Sequence, residues 1–162
     1  MKLHCVIQFF ICILIVGISN ADNVLQTNNY MVTIPENWTV ETRDNSTTIL
    51  DPEFKNGEVS ISISTKPTNN KMSLNEVWAK IEPLMVTGKI KISESEDVIS
   101  DNTWKKLEIE EIVCNKKIIT TVLFTIKYSL KYFINFVCPK DNYHDVIPHF
   151  NSVKKTFKFI HK

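Results

Sequence analysis

The stretch from Lys89 to Cys138 constrains the fold more than any other part of this sequence. Apolar and polar side chains alternate along most of it, which is typical of strands whose two faces meet different environments. We therefore predict consecutive antiparallel strands, beginning with Ile90 to Ile99 and Trp104 to Val113, with a turn at Asp101-Asn102. The strand Ile118 to Tyr128 follows and should form the centre of the core, with a neighbour on each side.

The register of this meander follows from the loops that we assign. A four-residue loop from Cys114 to Lys117 pairs Leu107 with Phe124 and Ile109 with Val122, whereas a slip of one residue would place acidic side chains opposite apolar ones. A loop from Ser129 to Lys131 gives the next set of cross-strand pairs. These are Tyr128 with Tyr132, Ile126 with Ile134, and Phe124 with Phe136.

Two amphipathic helices are predicted, one before the meander and one after it. Ser73-Leu74-Asn75-Glu76 is a capping box that marks the start of the first helix, and Pro83 should end or kink this helix near Glu82. The second helix should begin at Asp141 or Asn142. The apolar stripes are Leu74, Val77, Trp78, Ile81 and Met85 on the first helix, and Tyr143, Val146, Ile147, Phe150 and Val153 on the second. Phe157 and Phe159 then form a tail that can pack or add an edge strand.

Shorter strands precede the first helix. They are Tyr30 to Ile34, Trp38 to Thr42, Thr47 to Leu50, and a segment in which Val59, Ile61 and Ile63 alternate with Ser60, Ser62 and Ser64. The serines give this last strand one wet face. The sequence therefore predicts an α+β domain with an antiparallel β-sheet of about six strands flanked by helices.

The first 21 residues predict an export signal. Lys2 and His4 form a basic start, Val6 to Ile18 is almost wholly apolar, and Ser19-Asn20-Ala21 offers small residues for cleavage. The alternative is a retained membrane anchor, but a spanning helix needs about 20 apolar residues and this run is shorter and interrupted by Gln8. We expect a secreted or periplasmic protein that begins near Asp22, with residues 22–162 as a single domain and with Cys5 and Cys12 removed.

Charge limits the partners of the remaining chain. The leader contains one of the 19 basic residues and none of the 18 acidic residues, so the rest of the chain has no formal net charge. Binding to nucleic acid requires a basic excess, and we expect no nucleic-acid partner. We also expect a monomer without a membrane anchor.

Two cysteines, Cys114 and Cys138, remain after cleavage. An exported protein with two cysteines invites a disulfide, but the predicted meander places them on strands separated by a third. A bridge and two separate half-buried thiols both remain open. The triplets that begin at Asn37 and Asn45 match the acceptor pattern for glycosylation of asparagine. This match predicts glycosylation only if the source is a eukaryote.

The residues available for catalysis or metal binding are few. His144 and His149 are five residues apart, which separates them around a helix, and a solvated helix face explains them better than a metal site does. Glu108 and Glu110 share a strand face with Lys106 and read as a solvated face, not as an acid/base pair. No glycine-rich phosphate loop and no nucleophile elbow occur. The alternative to a non-enzymatic protein is a small secreted enzyme or effector that uses Cys138 or His144.

The segment Tyr30-x-Val32-x-Ile34-Pro35-x-x-Trp38, the order of elements and the ending Thr156-Phe157-Lys158 together resemble the PsbP-like superfamily. This group includes extrinsic photosystem subunits and bacterial exported DcrB-like proteins. The resemblance extends over nearly all of Asn29 to Ile160. It implies an α/β/α sandwich and a non-enzymatic role in binding a protein partner or a small ligand. It carries over no catalytic residue, no metal ligand and no cofactor.

Overall fold

The alternating stretch folds into four consecutive antiparallel strands in the computed structural model, which describes residues 23–54, 57–68 and 71–161. These strands are β6 (Ile90–Ile99), β7 (Asn102–Val113), β8 (Lys116–Lys127) and β9 (Leu130–Pro139). Three further strands, β3 (Thr39–Arg43), β4 (Ser46–Leu50) and β5 (Ser60–Pro67), complete one sheet in the order β3-β4-β5-β9-β8-β7-β6. The predicted α+β class is confirmed, with seven strands in the main sheet.

A second, three-stranded sheet joins the two ends of the domain. It consists of β1 (Val24–Gln26), β2 (Tyr30–Thr33) and β10 (Lys158–Phe159), with β2 in the middle. Phe159 pairs with Tyr30, so the apolar C-terminal tail does add an edge strand.

The first helix, α1 (Leu74–Val86), begins at the predicted capping box. The Ser73 Oγ accepts a hydrogen bond from the Glu76 backbone N–H at 3.3 Å, and the Glu76 carboxylate accepts one from the Ser73 N–H at 2.7 Å. Of the two outcomes predicted for Pro83, an end of the helix near Glu82 was wrong, because the helix continues to Val86. Pro83 lies in the last turn, where its ring removes only one backbone hydrogen bond.

The second helix, α2 (Tyr143–Thr156), follows a short 3-10 turn at Lys140–Asn142. Asn142 is its N-terminal flanking residue, as predicted, although its side chain makes no capping hydrogen bond. Val146, Phe150 and Val153 are the buried members of its apolar stripe.

The two helices cover opposite faces of the sheet. On the α2 face, the second helix and β2 pack on Leu123, Ile134 and Phe136, together with the aromatic residues Trp104 and Phe157. The α1 face is a separate cluster. Its buried residues are Val77, Trp78, Leu107, Ile109, Val122 and Phe124. Strand β8 contributes to both clusters, so the predicted central strand is confirmed.

The predicted register between β7 and β8 was wrong by two residues. Leu107 pairs with Val122 and Ile109 with Thr120, because the connection is a two-residue turn at Cys114 and Asn115 rather than a four-residue loop. Both turn residues have positive φ angles, 49° and 63°, which suits the turn whose twist matches that of the flanking strands. A shift of two residues leaves each side chain on its predicted face.

The predicted register between β8 and β9 was wrong by three residues, which changes the faces that meet. Phe124 pairs with Phe133 and Leu123 pairs with Ile134. Here too the turn has two residues, Tyr128 and Ser129, both with positive φ. The turn between β6 and β7 is likewise at Ser100 and Asp101, one residue before the predicted position.

Candidate binding surfaces

The two cysteines are free thiols in contrasting surroundings. Cys138 lies on the α2 face of β9 and is fully buried. Burial raises the pKa of the Cys138 thiol to about 12, so the nucleophilic thiolate is scarce at neutral pH. Cys114 is exposed in the turn between β7 and β8.

The register explains why no bridge joins these thiols. Cys138 pairs with Ile119, which pairs with Glu110, and Cys114 lies four residues beyond Glu110 in the turn after β7. A rise of about 3.4 Å per residue and a spacing of about 4.8 Å per strand place the two Cα atoms about 17 Å apart. A disulfide requires a separation below about 7 Å. The structure therefore has the separate thiols, one exposed and one buried.

The predicted catalytic alternative gains no support from the histidines. His144 is exposed on α2, with its ring 6.0 Å from that of Tyr143, and His149 is exposed with its ring 5.5 Å from that of Trp38. These ring contacts are with Tyr143 and Trp38, and neither of them involves Cys138. Among the described residues, no group of three His, Cys, Asp or Glu side chains could hold a metal ion.

The tryptophans pack in or against the core, and neither of the two depressions described here is lined by one. Trp104 and Trp78 are buried on the α2 and α1 faces, and Trp38 is half-buried against His149. Two depressions of the described surface are shallow. The first, of about 240 Å³, lies at Glu41, Arg43, Ser46 and Thr48. The second, of about 330 Å³, is lined by Asn28, Asn29, Tyr128, Leu130, Ile160 and His161.

Glu108 and Glu110 form part of a polar network beneath the start of α2. The Glu108 carboxylate accepts hydrogen bonds from Tyr143 at 3.1 Å and Ser93 at 2.9 Å, and the Lys106 Nζ lies 3.0 Å away. Glu110 accepts a hydrogen bond from Lys140 at 2.6 Å. The expectation of a solvated face was wrong here, because α2 and the turn before it cover this part of β7 and leave Glu110 buried.

The pKa directions of these carboxyl groups show what the network does. Burial opposes ionisation of Glu108, but the hydrogen bonds from Lys106, Ser93 and Tyr143 outweigh it and lower the pKa. The Lys140 hydrogen bond lowers the pKa of Glu110. At the other end of α2, Lys154 lies 2.8 Å from Asp97, and this contact outweighs burial to lower the pKa of Asp97. Lys154 with Asp97, Lys140 with Glu110, and the Tyr143 hydrogen bond to Glu108 fasten α2 and the turn before it to the sheet. The Lys106 ion pair with Glu108 lies within β7 and holds this carboxylate ionised.

One part of the α1 face is left uncovered, and we call it the open face. The apolar contacts of α1 are with β7, β8 and β9, whereas β4 and β5 show alternate buried and half-exposed residues. Most of the half-exposed side chains are short hydroxyls and one amide: Ser46, Thr48, Ser60, Ser62, Ser64 and Asn135. Leu50 and Val137 flank Ser60 at one end of this surface. The wet face predicted for the serine-rich strand is confirmed. Asn135 donates a hydrogen bond to Ser62 at 3.3 Å, which links neighbouring strands on this surface.

A second surface feature is a two-stranded projection that we call the finger, residues 111–117. Pairing of β7 with β6 ends at Glu110, and pairing of β8 with β9 ends at Ile118, so the residues between them extend beyond both neighbouring strands. Its two aliphatic side chains, Ile112 and Val113, are 69% and 46% exposed. Lys117 and Lys116 lie directly opposite them. Sequence reasoning missed the finger because the predicted loop placed both lysines outside the strands.

The sequence-predicted glycosylation sites are both accessible. Asn37 is exposed in the turn before Trp38 and has a φ of 65°, and Asn45 is exposed in the turn between β3 and β4. The predicted leader, residues 1–21, lies outside the described residues. Neither helix within the described ranges has the length and the hydropathy of a bilayer-spanning segment.

No protein-family model matches this sequence, and no curated protein is similar to it. Solved structures are similar. The solution structure of cyanobacterial PsbP (CyanoP) from Synechocystis has a TM-score of 0.63 at 11% identity, over 91% of this chain and 98% of that one. The Ran-binding protein Mog1p of Saccharomyces cerevisiae has a TM-score of 0.56 at 14% identity, over 85% and 96%.

A protein from Bacteroides thetaiotaomicron is also similar, with a TM-score of 0.59 at 14% identity. The similarity covers 82% of this chain and 46% of that longer protein. At these identities the comparisons show a shared fold. The fold that the predicted resemblance implies is therefore confirmed.

Proposed function

We propose that this protein is an exported, non-enzymatic, single-domain accessory protein that binds a protein partner across its open face. Residues 22–162 form the exported domain after cleavage of the leader. The observation that carries the proposal is the uncovered ladder of hydroxyl and amide side chains on β4, β5 and β9. The shared fold with CyanoP and with a Ran-binding protein supports a binding role.

The shape of the open face favours a protein over a small ligand. Small-molecule sites are concave and bury most of their ligand, whereas the depression on this surface is shallow and lined by exposed and half-exposed polar residues. Short hydroxyl side chains on a flat sheet can exchange their hydrogen bonds with water for hydrogen bonds with another chain. They also lose little rotamer entropy when they do so.

The size of the open face indicates how far the partner must extend. Strand geometry gives it dimensions of about 17 by 15 Å, or about 250 Å², whereas a standard protein interface buries about 800 Å² on each partner. The adjoining strand β3 is exposed at every residue and forms one edge of the sheet. We infer that the partner covers the open face together with β3.

A photo-crosslinking amino acid at Ser62 tests this proposal. The chain is produced with its own leader in its natural host, and proteins cross-linked from Ser62 are identified by mass spectrometry. The partner is then purified and its affinity is measured for Ser62→Arg, which places a bulky charge in the middle of the ladder. We expect the dissociation constant to rise at least about tenfold.

Ser152→Arg provides the control, because Ser152 is exposed on α2 and away from the sheet surface. We expect this variant to bind like the unmodified protein. An open face that cross-links to no protein, or an affinity that Ser62→Arg and Ser152→Arg change equally, would overturn the proposal. A hydrolytic activity lost on Cys138→Ser or His144→Ala would favour the enzyme alternative.

A further inference from the structure

The finger brings aliphatic side chains into water at one end of the sheet. Ile112 and Val113 project beyond the neighbouring strands, and the adjacent edge strand adds Ile90, 63% exposed, and Ile92, 49% exposed. Ile90 pairs with Glu110, which places it diagonally beside Ile112 on the same face. Val113 points to the opposite face of the finger, because successive side chains alternate along a strand. Exposed aliphatic residues at the projecting end of a sheet can enter another apolar phase together.

Lysines surround these aliphatic residues and point outward. Lys116 and Lys117 lie opposite Val113 and Ile112, and their side chains are 56% and 60% exposed. Glu110 is the acidic partner of both Lys117, at 3.9 Å, and Lys140, at 2.6 Å, yet its side chain is only 10% exposed. Glu58 pairs with Lys116 at 2.6 Å, and Glu111 of the finger pairs with Lys89 at 3.2 Å. Lys116, Lys117 and Lys140 are each more exposed than the carboxylate that they pair with, so their ammonium groups lie outermost.

We propose that the finger, with Ile90 and Ile92, docks on an anionic phospholipid surface. Aliphatic side chains can enter the boundary between head groups and acyl chains without a shaped pocket, while lysines extend their ammonium groups to the phosphates. This peripheral contact is distinct from the predicted leader and from the open face.

The composition of the finger argues against the other occupants. Protein interfaces are enriched in aromatic residues and arginine and depleted in lysine, and the finger contains lysine without either. A second copy of this chain would bring the lysines of one finger against those of the other, and like charges repel. An anionic membrane offers an apolar phase to the aliphatic side chains and negatively charged phosphates to the lysines.

Co-sedimentation with vesicles tests the proposal. The protein is expressed with its own leader and purified in the form that the host releases, and every variant is used in that same form. One set of vesicles contains equal parts of phosphatidylglycerol and phosphatidylcholine, and the other contains phosphatidylcholine alone. We expect binding to the anionic vesicles, at least about tenfold weaker binding to the neutral ones, and weakening by salt.

Matched variants locate the contact. Ile112→Ser with Val113→Ser, and separately Lys116→Gln with Lys117→Gln, should each weaken binding to anionic vesicles at least about tenfold. Val98→Ser is the aliphatic control, because Val98 is 71% exposed near the opposite end of β6. Lys66→Gln with Lys131→Gln is the lysine control, because these two residues form a cross-strand pair between β5 and β9. Both controls should bind like the unmodified protein.

A fluorophore sensitive to polarity, attached to Cys114, reports on the finger directly. Cys114 is exposed while Cys138 is buried, so labelling of the folded domain is selective. We expect a blue shift on addition of anionic vesicles. The proposal is overturned if the protein stays in solution, if the finger variants bind as well as the controls, or if the fluorophore does not shift. If the finger instead cross-links to a protein and the vesicles remain unbound, it is a protein interface. We expect Ser62→Arg to leave vesicle binding unchanged, so the two proposals can fail independently.

Discussion

At the scale of the residue, the C-terminal Phe157 shows how the end of the chain holds the core together. Its ring stacks on Tyr30 at 5.6 Å and meets Trp104 edge-on at 5.4 Å, and the side chain is 1% exposed. Tyr132 and Phe159 complete the same aromatic group. One side chain thereby joins β2, β7 and β9, which are far apart in sequence.

Truncation of this ring should destabilise the whole domain. We expect Phe157→Ala to lower the free energy of unfolding by about 3–5 kcal/mol, because it removes a fully buried ring from a packed cluster. Ile112→Ala, an exposed aliphatic residue, should change it by less than about 0.5 kcal/mol. Urea unfolding followed by tryptophan fluorescence measures both. Equal effects of the two substitutions would show that the tail is not part of the core.

At the scale of the element, the ion pairs beneath α2 make its attachment dependent on pH. The folded state lowers the pKa of Glu108 from its ordinary value of 4.5. A carboxyl group with a lowered pKa in the folded state stabilises the fold above the unfolded pKa, and this stabilisation is lost as the pH falls through the folded pKa. Asp97 and Glu110 act in the same direction. Acid should therefore loosen α2 from the sheet.

Glu108→Gln tests this dependence. The variant should be less stable than the unmodified protein at neutral pH, since Lys106 loses its partner, and its stability should fall less as the pH is lowered below 4.5. Glu36→Gln is the control, because Glu36 is exposed in the turn before Trp38. Urea midpoints at a series of pH values measure the difference. If Glu108→Gln loses as much stability in acid as Glu36→Gln, the network does not stabilise the fold.

The elements themselves could be predicted from the sequence, but their register could not. Alternation located β6 exactly and the capping box located the start of α1. Both faces of β8 are buried, so that Val122 and Leu123 are adjacent and equally apolar, and alternation cannot tell which residue faces which helix. The two-residue turns at Cys114-Asn115 and Tyr128-Ser129 lack the asparagine-glycine pair by which such turns are usually recognised in a sequence. The error at the first turn also concealed the finger.

At the scale of the whole molecule, the two proposed surfaces are compatible. The finger extends along the strand direction, and the Lys116 to Glu58 ion pair at 2.6 Å shows that it adjoins the start of β5. The open face is a surface of the sheet, so it runs alongside the strands and does not lie at their ends. Under the two proposals together, a domain docked on a membrane by its finger presents the open face sideways.

The central claim is that this protein acts through its surfaces and not through a reactive thiol, and differential alkylation tests it most directly. The folded domain is treated with a maleimide near neutral pH, then unfolded and treated with a second, heavier maleimide, and the labels are located by mass spectrometry. We predict the first label at Cys114 alone and the second at Cys138 alone, because Cys138 is buried with a raised pKa and no bridge joins the two. Rapid labelling of Cys138 in the folded domain, or the absence of both labels until a reductant is added, would contradict the account.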